Sequence, residues 1–287
     1  MINKLVIIGV GLIGGSLARA LKKAEACKEI VGSNRNIAQL KKAVELGVID
    51  RYDTDIAKAA AGADMIVLAV PVGSTEAILR QLNGHLDAKT IITDVGSTKQ
   101  SVIEAVRAVF GKVPGNFVPG HPIAGTEQSG VEASSTQMFQ KRRTVLTPLP
   151  ETDSRALNKV RMMWEQAGAE VVEMDARTHD EILAATSHLP HVLAYTLVDT
   201  LARMEQHADI FRFAAGGFRD FTRIAASDPV MWRDICLANR EAILKMIEKF
   251  GAELNHFGAA LRDKDSAALL ALLSRAKAAR DGLNNGY

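Results

Sequence analysis

Cysteine is nearly missing from this chain: Cys27 and Cys236 are the two present in 287 residues. They lie far apart and in no metal-like spacing, so a disulfide framework and a zinc knuckle are excluded and two reduced thiols are expected. An excess of one charge is missing as well. Thirty-five Lys and Arg against 33 Asp and Glu leave a formal +2. That is too little to point to nucleic acid or a membrane surface, so attraction for an anion must come from locally placed arginines. Long apolar runs are also absent. The first, after Met1-Ile2-Asn3-Lys4, breaks at glycines within a few residues and reads as a strand, neither a signal peptide nor a spanning helix. A cytoplasmic protein with no nucleic-acid or membrane partner is expected.

What the sequence does have is ample core material, 47% hydrophobic residues with 24% charged, at a length suited to one large or two medium domains. From Lys4 to about Ala176, short apolar runs alternate with helical stretches. Leu5–Ile8, Glu29–Gly32, Met65–Val70 and Thr90–Val95 read as strands, with Asn116–Pro119, Thr144–Leu146 and Glu170–Glu173 as weaker later ones. This alternation predicts an α/β domain over residues 1–174 with a doubly wound, mostly parallel sheet. Residues 175–287 read as all-helical. Leu189 to Leu201 follow helical spacing, and Ser227-Asp228-Pro229 is a helix start. From there Trp232, Cys236, Ile243, Met246, Ile247, Phe250, Leu254 and Phe257 mark one apolar stripe, predicted to run along a single helix of nearly thirty residues. So long a stripe predicts a homodimer through the C-terminal helices.

Gly9-Val10-Gly11-Leu12-Ile13-Gly14 is a GxGxxG motif that follows a strand and opens a helix. In that context it reads as a dinucleotide site. Gly9 makes the turn, Gly11 lets the backbone approach pyrophosphate, Gly14 lets helix and strand pack, and the amides at Leu12 and Ile13 face the anion. About 20 residues beyond the motif, where NAD sites usually place a carboxylate, stands Ser33-Asn34-Arg35. A hydroxyl, an amide and a guanidinium suit a 2′-phosphate, so NADP is favoured over NAD; the alternative is Arg35 as a surface residue beside an NAD site. Val70-Pro71 ends the Met65 run where a parallel strand would face the cofactor crevice.

Polar groups cluster in Asp94-Val95-Gly96-Ser97-Thr98-Lys99, in Gly120-His121-Pro122-Ile123-Ala124-Gly125-Thr126, and from Gly216 to Asp234. With Ser187-His188-Leu189-Pro190-His191, these segments resemble the signature stretches of prephenate and arogenate dehydrogenases, over most of the chain. The resemblance implies a Rossmann-like N-terminal domain and a helical dimerisation domain. It also implies oxidative decarboxylation of prephenate to 4-hydroxyphenylpyruvate, or of arogenate to tyrosine, within tyrosine biosynthesis. His121 matches the family's acceptor of the ring hydroxyl's proton or hydrogen bond, and Ser97 the serine beside it and the nicotinamide. Arg223 matches the substrate arginine, with Arg219 and Arg233 as alternatives. Thr126 and Trp232 are candidates for the pocket lining, Trp232 equally for core packing. His191 resembles a histidine that contacts substrate, and His188, also a candidate, reads as a cap or packing residue. Feedback inhibition by tyrosine is an expectation from its likeness to the product.

His188 and His191 share one helix face, yet no cysteine or carboxylate set accompanies them, so no metal is expected. A β-hydroxyacid dehydrogenase is the nearest rival plan, but its catalytic lysine has no counterpart between Glu181 and Leu201. An NAD(P)-binding sensor would need the glycine motif and not Ser97, His121 and Arg223 together.

Overall fold

A run such as Met65–Leu68, apolar at every position, holds as a strand only where both of its faces are covered. The computed structural model, which describes residues 1–205 and 207–283, covers it so. β1 (Ile2–Ile8), β2 (Cys27–Ser33), β3 (Arg51–Tyr52), β4 (Met65–Leu68), β5 (Ile91–Asp94) and β6 (Phe117–Val118) form one sheet in the order β3-β2-β1-β4-β5-β6. Every neighbouring pair is parallel. The helices α1 (Leu12–Lys23), α2 (Ile37–Glu45), α3 (Ile56–Ala60), α4 (Thr75–Leu82) and α5 (Gln100–Phe110) lie between these strands in the chain. Alternate side chains serve two separate cores, as the strand's period of two requires. Leu5, Ile7, Met65 and Val67 pack with Leu17 and Leu21 of α1, whereas Val6, Ile8, Ile66 and Leu68 pack with Leu79 of α4 and Val102 of α5. This order reverses between β1 and β4, which opens a crevice at the carboxyl ends of those two strands.

The later strands leave that sheet. β7 (Gly120–Pro122), β8 (Arg143–Leu146) and β9 (Glu170–Glu173) form a second, three-stranded sheet, β7 antiparallel and β9 parallel to β8. Only β6 of the weaker strands joins the main sheet, because its two residues pair with Ile92 and Thr93 of β5. The helix α6 (Ser154–Gln166) links β8 to β9 and starts on Asp153, whose carboxylate accepts from the amides of Arg155 and Ala156.

Beyond β9 the described chain is helical. α7 (Ala176–Leu183) starts on the capping carboxylate of Asp175, passes through a single π turn at Ala184–His188, and continues as α8 (Leu189–Ala202) with Pro190 in its first turn. Then come α9 (His207–Arg212), α10 (Gly216–Thr222) and α11 (Pro229–Ala238). The last starts as its sequence predicts, with Asp228 accepting from the Met231 amide and Pro229 at the first position. The single long helix does not form. It is interrupted at Asn239 (φ −113°, ψ 31°), and α12 (Arg240–Arg262) and α13 (Ser266–Leu283) follow. The cause is polar: the buried Asn239 amide donates to the Asp180 carbonyl at 2.8 Å and meets Nδ1 of His188 at 3.1 Å.

By contact the chain divides into Met1–Arg240 and a unit beginning at Glu241. In the second unit Leu244, Phe250, Leu254 and Leu261 of α12 and Leu270 and Leu273 of α13 are exposed. Residues 284–287, at the end of the expected helical region, lie outside the described residues. Among the described residues no helix is long and apolar enough to cross a membrane.

Candidate active site

The glycine turn sits at the crevice between β1 and β4. Gly9 has φ +99°, and a Cβ there would stand 2.2 Å from the Ala69 carbonyl oxygen, so only glycine fits. A Cβ on Gly14 would meet the Gly9 carbonyl at 2.2 Å, which enforces close packing of α1 on the turn. Gly11 differs. A Cβ there would meet nothing within 4 Å, and as the residue before α1 it offers no side chain to cap the helix. The space at a Gly11 Cβ is therefore open at the start of α1, where the Leu12 and Ile13 amides begin the helix, which suits a pyrophosphate. At the end of β2, Ser33 is buried with its hydroxyl unpartnered among the described residues, Asn34 donates to Gln39 at 3.1 Å, and Arg35 is exposed. Val70 and Pro71 follow β4 on the opposite side of the turn, and a Cβ on Gly9 would also touch the Val70 side chain.

A cavity of about 1000 Å³ is lined by Ser97, His121, Thr126, Glu127, Ser187, His191, Arg223 and Trp232, among others. His121 is the middle residue of β7, paired with Val145 of β8, so it is held on a strand. Its Nδ1 lies 2.9 Å from Nε2 of His179, and Nδ1 of His179 lies 2.8 Å from the Asp180 carboxylate. Burial is the main force holding His121 well below the usual imidazole value, with His179, Lys99 and His188 adding to it. It is neutral at neutral pH. For Asp180, burial pushes upward, but the bonds from His179 and from the Lys99 and Gln100 amides outweigh it, and the carboxyl lies below its ordinary value. Beneath this pair, fully buried Lys99 binds the Asp94 carboxylate and donates to the Gly120 carbonyl at 2.6 Å. Asp94 also accepts from the Gly96 and Gly120 amides at 2.8 and 3.1 Å, which ties the end of β5 to β7.

On the helical side, His191 stacks on Trp232 with ring centroids 3.7 Å apart and donates from Nδ1 to the Ser187 carbonyl at 2.9 Å. Partial burial lowers its pKa. Arg223 pairs with Glu127 at 2.7 Å, both partly exposed at the cavity.

A family model described as "Prephenate dehydrogenase, nucleotide-binding domain" matches residues 17–173, and one described as "Prephenate dehydrogenase, dimerization domain" matches residues 175–275. The chain belongs to the prephenate dehydrogenase family. As a member it is a nicotinamide-dependent oxidoreductase. Its relatives include a prephenate dehydrogenase from Bacillus subtilis, 37% identical over 99% of this chain and 76% of that protein. A cyclohexadienyl dehydrogenase from Zymomonas mobilis is 36% identical over 99% of this chain and 97% of the other. Among solved structures, prephenate dehydrogenase from A. aeolicus in complex with hydroxyphenyl propionate and NAD+ is 38% identical, with a TM-score of 0.92 over 99% of both chains.

In this prephenate dehydrogenase family member the structure gathers Ser97, His121, Thr126, His191, Arg223 and Trp232 on one cavity. It leaves three others outside that lining. His188 is buried and bonded to Asn239, Arg219 is exposed and donates to the Ala214 carbonyl, and Arg233 pairs with Asp234 at 2.6 Å. Ser97 shares the cavity, but among the described residues the partner of Nδ1 of His121 is His179 and not Ser97. Trp232 lines the cavity and is 7% exposed. Sequence reasoning named Asp94 and Lys99 within their polar segment without giving them a role, and it missed His179, Asp180 and Asn239 as parts of the site. The signal available for His179 and Asp180 was a His-Asp pair on a helix in the same chain region as His188 and His191.

Proposed function

We propose that this chain oxidatively decarboxylates prephenate, arogenate or both, giving 4-hydroxyphenylpyruvate or tyrosine, with His121 and Ser97 as the catalytic pair. The observation that carries the reading is a neutral, buried imidazole on a cavity that also holds a guanidinium, with one ring nitrogen already engaged and Nε2 left for a ligand. NAD(P), held at the glycine turn by Gly9, Gly11, Leu12, Ile13 and Gly14 and bounded by Val70 and Pro71, would supply the hydride acceptor. His121 accepts the proton of the ring hydroxyl as that carbon becomes a ketone, and Ser97 holds the hydroxyl or the histidine in place. The ketone then draws the electrons of the departing carboxylate, and the ring becomes aromatic. Arg223 holds a substrate carboxylate with a planar fork suited to it, and His191, Thr126 and Trp232 shape the rest of the pocket. His188, Arg219 and Arg233 are left with supporting roles.

NADP is favoured over NAD. Arg35 is exposed, the Ser33 hydroxyl is unpartnered among the described residues, and Ser33-Asn34-Arg35 carries no carboxylate. Residues 1–174 form the dinucleotide domain and residues 175–287 the helical substrate and dimerisation domain, in a cytoplasmic homodimer. Tyrosine, which shares the product ring, competes for the same cavity. Measuring kcat/KM for prephenate and arogenate with NAD and with NADP tests the substrate and cofactor readings at once. Turnover of at least one substrate, better with NADP, is expected, with tyrosine raising KM. No turnover in any of the four combinations overturns the enzyme reading and leaves a nucleotide sensor.

A further inference from the structure

Both oxygens of the Asp180 carboxylate are engaged. The carboxylate accepts from the backbone amides of Lys99 and Gln100 at 2.8 and 2.9 Å, and its third partner is Nδ1 of His179 at 2.8 Å. An ionised carboxylate only accepts, so Nδ1 of His179 carries a proton. When the His179 ring carries that one N–H, its Nε2 is a lone pair. That lone pair lies 2.9 Å from Nδ1 of His121, so Nδ1 of His121 is the donor. His179 is 0% exposed and Asp180 1%, so no water competes for either bond. The two rings meet edge to face at 69°, with centroids 5.1 Å apart.

We infer that His179, anchored by Asp180, is a positioning residue that fixes the tautomer of His121, with the proton on Nδ1 and Nε2 bare for the substrate hydroxyl. The inference rests on the proposed role of His121 and adds what sets its direction. Without an acceptor at Nδ1, an imidazole can place its proton on Nε2 and present a donor where the reaction needs a base. With His179 in place the wrong tautomer would leave two lone pairs facing each other. When the substrate's O–H bond breaks, its proton forms the new Nε2–H bond. The resulting imidazolium keeps its Nδ1 proton against His179, with the Asp180 charge one ring away. Asp180 itself gains no proton. The same carboxylate holds the start of α5 through the Lys99 and Gln100 amides, so the segment that carries Ser97 and the ring of His121 share one anchor.

The test begins with the unaltered full-length protein labelled with 15N-histidine. Long-range proton–nitrogen spectra of the substrate-free protein, with the His121 signals identified by their absence in His121→Asn, should show an Nδ1–H and a bare Nε2. A proton on Nε2 overturns the inference, whatever the activity. His179→Phe, which fills the space but accepts nothing, should lower kcat by about 100-fold or more, within the range of a misplaced acid–base group, and KM should shift by less than about threefold. His179→Gln, whose Oε1 can stand where Nε2 stood, should recover about tenfold or more of that loss. Wild-type kcat in His179→Phe, or a Gln variant that folds yet is no better than Phe, overturns it. If the unaltered protein turns over neither prephenate nor arogenate, the function proposal fails, while the spectrum still decides the tautomer.

Discussion

His121 and Arg223 occupy one cavity and should fail in different ways when removed. His121→Asn keeps a side chain of similar reach on β7 but cannot take a proton. It is expected to lower kcat by about 10²–10⁴-fold, with KM for prephenate nearly unchanged. Unchanged kcat would remove His121 from the mechanism. Because burial holds its pKa below the ordinary 6.5 and the neutral form is the active one, the acid limb of kcat/KM should fall below pH 6.5. A limb above that value would assign it to another group. Arg223→Ala should instead raise KM strongly, with the smaller effect on kcat. Its pairing with Glu127 is no obstacle to substrate, since both side chains are more than a third exposed and such a pair contributes about 0–1 kcal/mol. That His121, His191 and Trp232 share one cavity was legible to the extent that each sits in a short distinctive segment. His179 was not. It stands 58 residues from its partner, and nothing in the local pattern announces that a strand will carry His121 back against it.

Asn239 shows why the helices were read less well than the strands. Apolar spacing continues straight through it, from Trp232 and Cys236 to Ile243, so periodicity alone runs one helix where the structure has two. The interruption comes from a polar commitment far away in the chain, to the Asp180 carbonyl and His188. Asn239→Leu would restore the stripe and leave both of those buried groups without their donor. The folded state should lose about 1–3 kcal/mol, read as a lower urea midpoint at unchanged slope. A midpoint equal to or above the unaltered protein's would mean that the break owes nothing to these bonds. The main strands gave a clearer signal, since runs covered on both faces are apolar at every position, as β4 is. The three-residue β7 and its antiparallel partner carry no such run, which is why the second sheet was folded into the first in the sequence reading.

At the scale of the molecule, the alternating strands and helices and the glycine turn made the nucleotide-binding part legible, and the matched family models agree with that architecture. Phe250 and Leu254 are exposed on α12, four residues apart and so on one face. The double substitution Phe250→Asp with Leu254→Asp should convert a dimer to a monomer in light scattering coupled to size exclusion. A variant that stays dimeric would move the interface elsewhere. The uncovered flank of α12 also bears on what a melting curve of this protein means. If partner contact is what keeps those side chains from water, association and folding are linked, and dilution weakens the fold by mass action. Thermal midpoints taken at micromolar and at nanomolar protein should then disagree, the more dilute sample melting first.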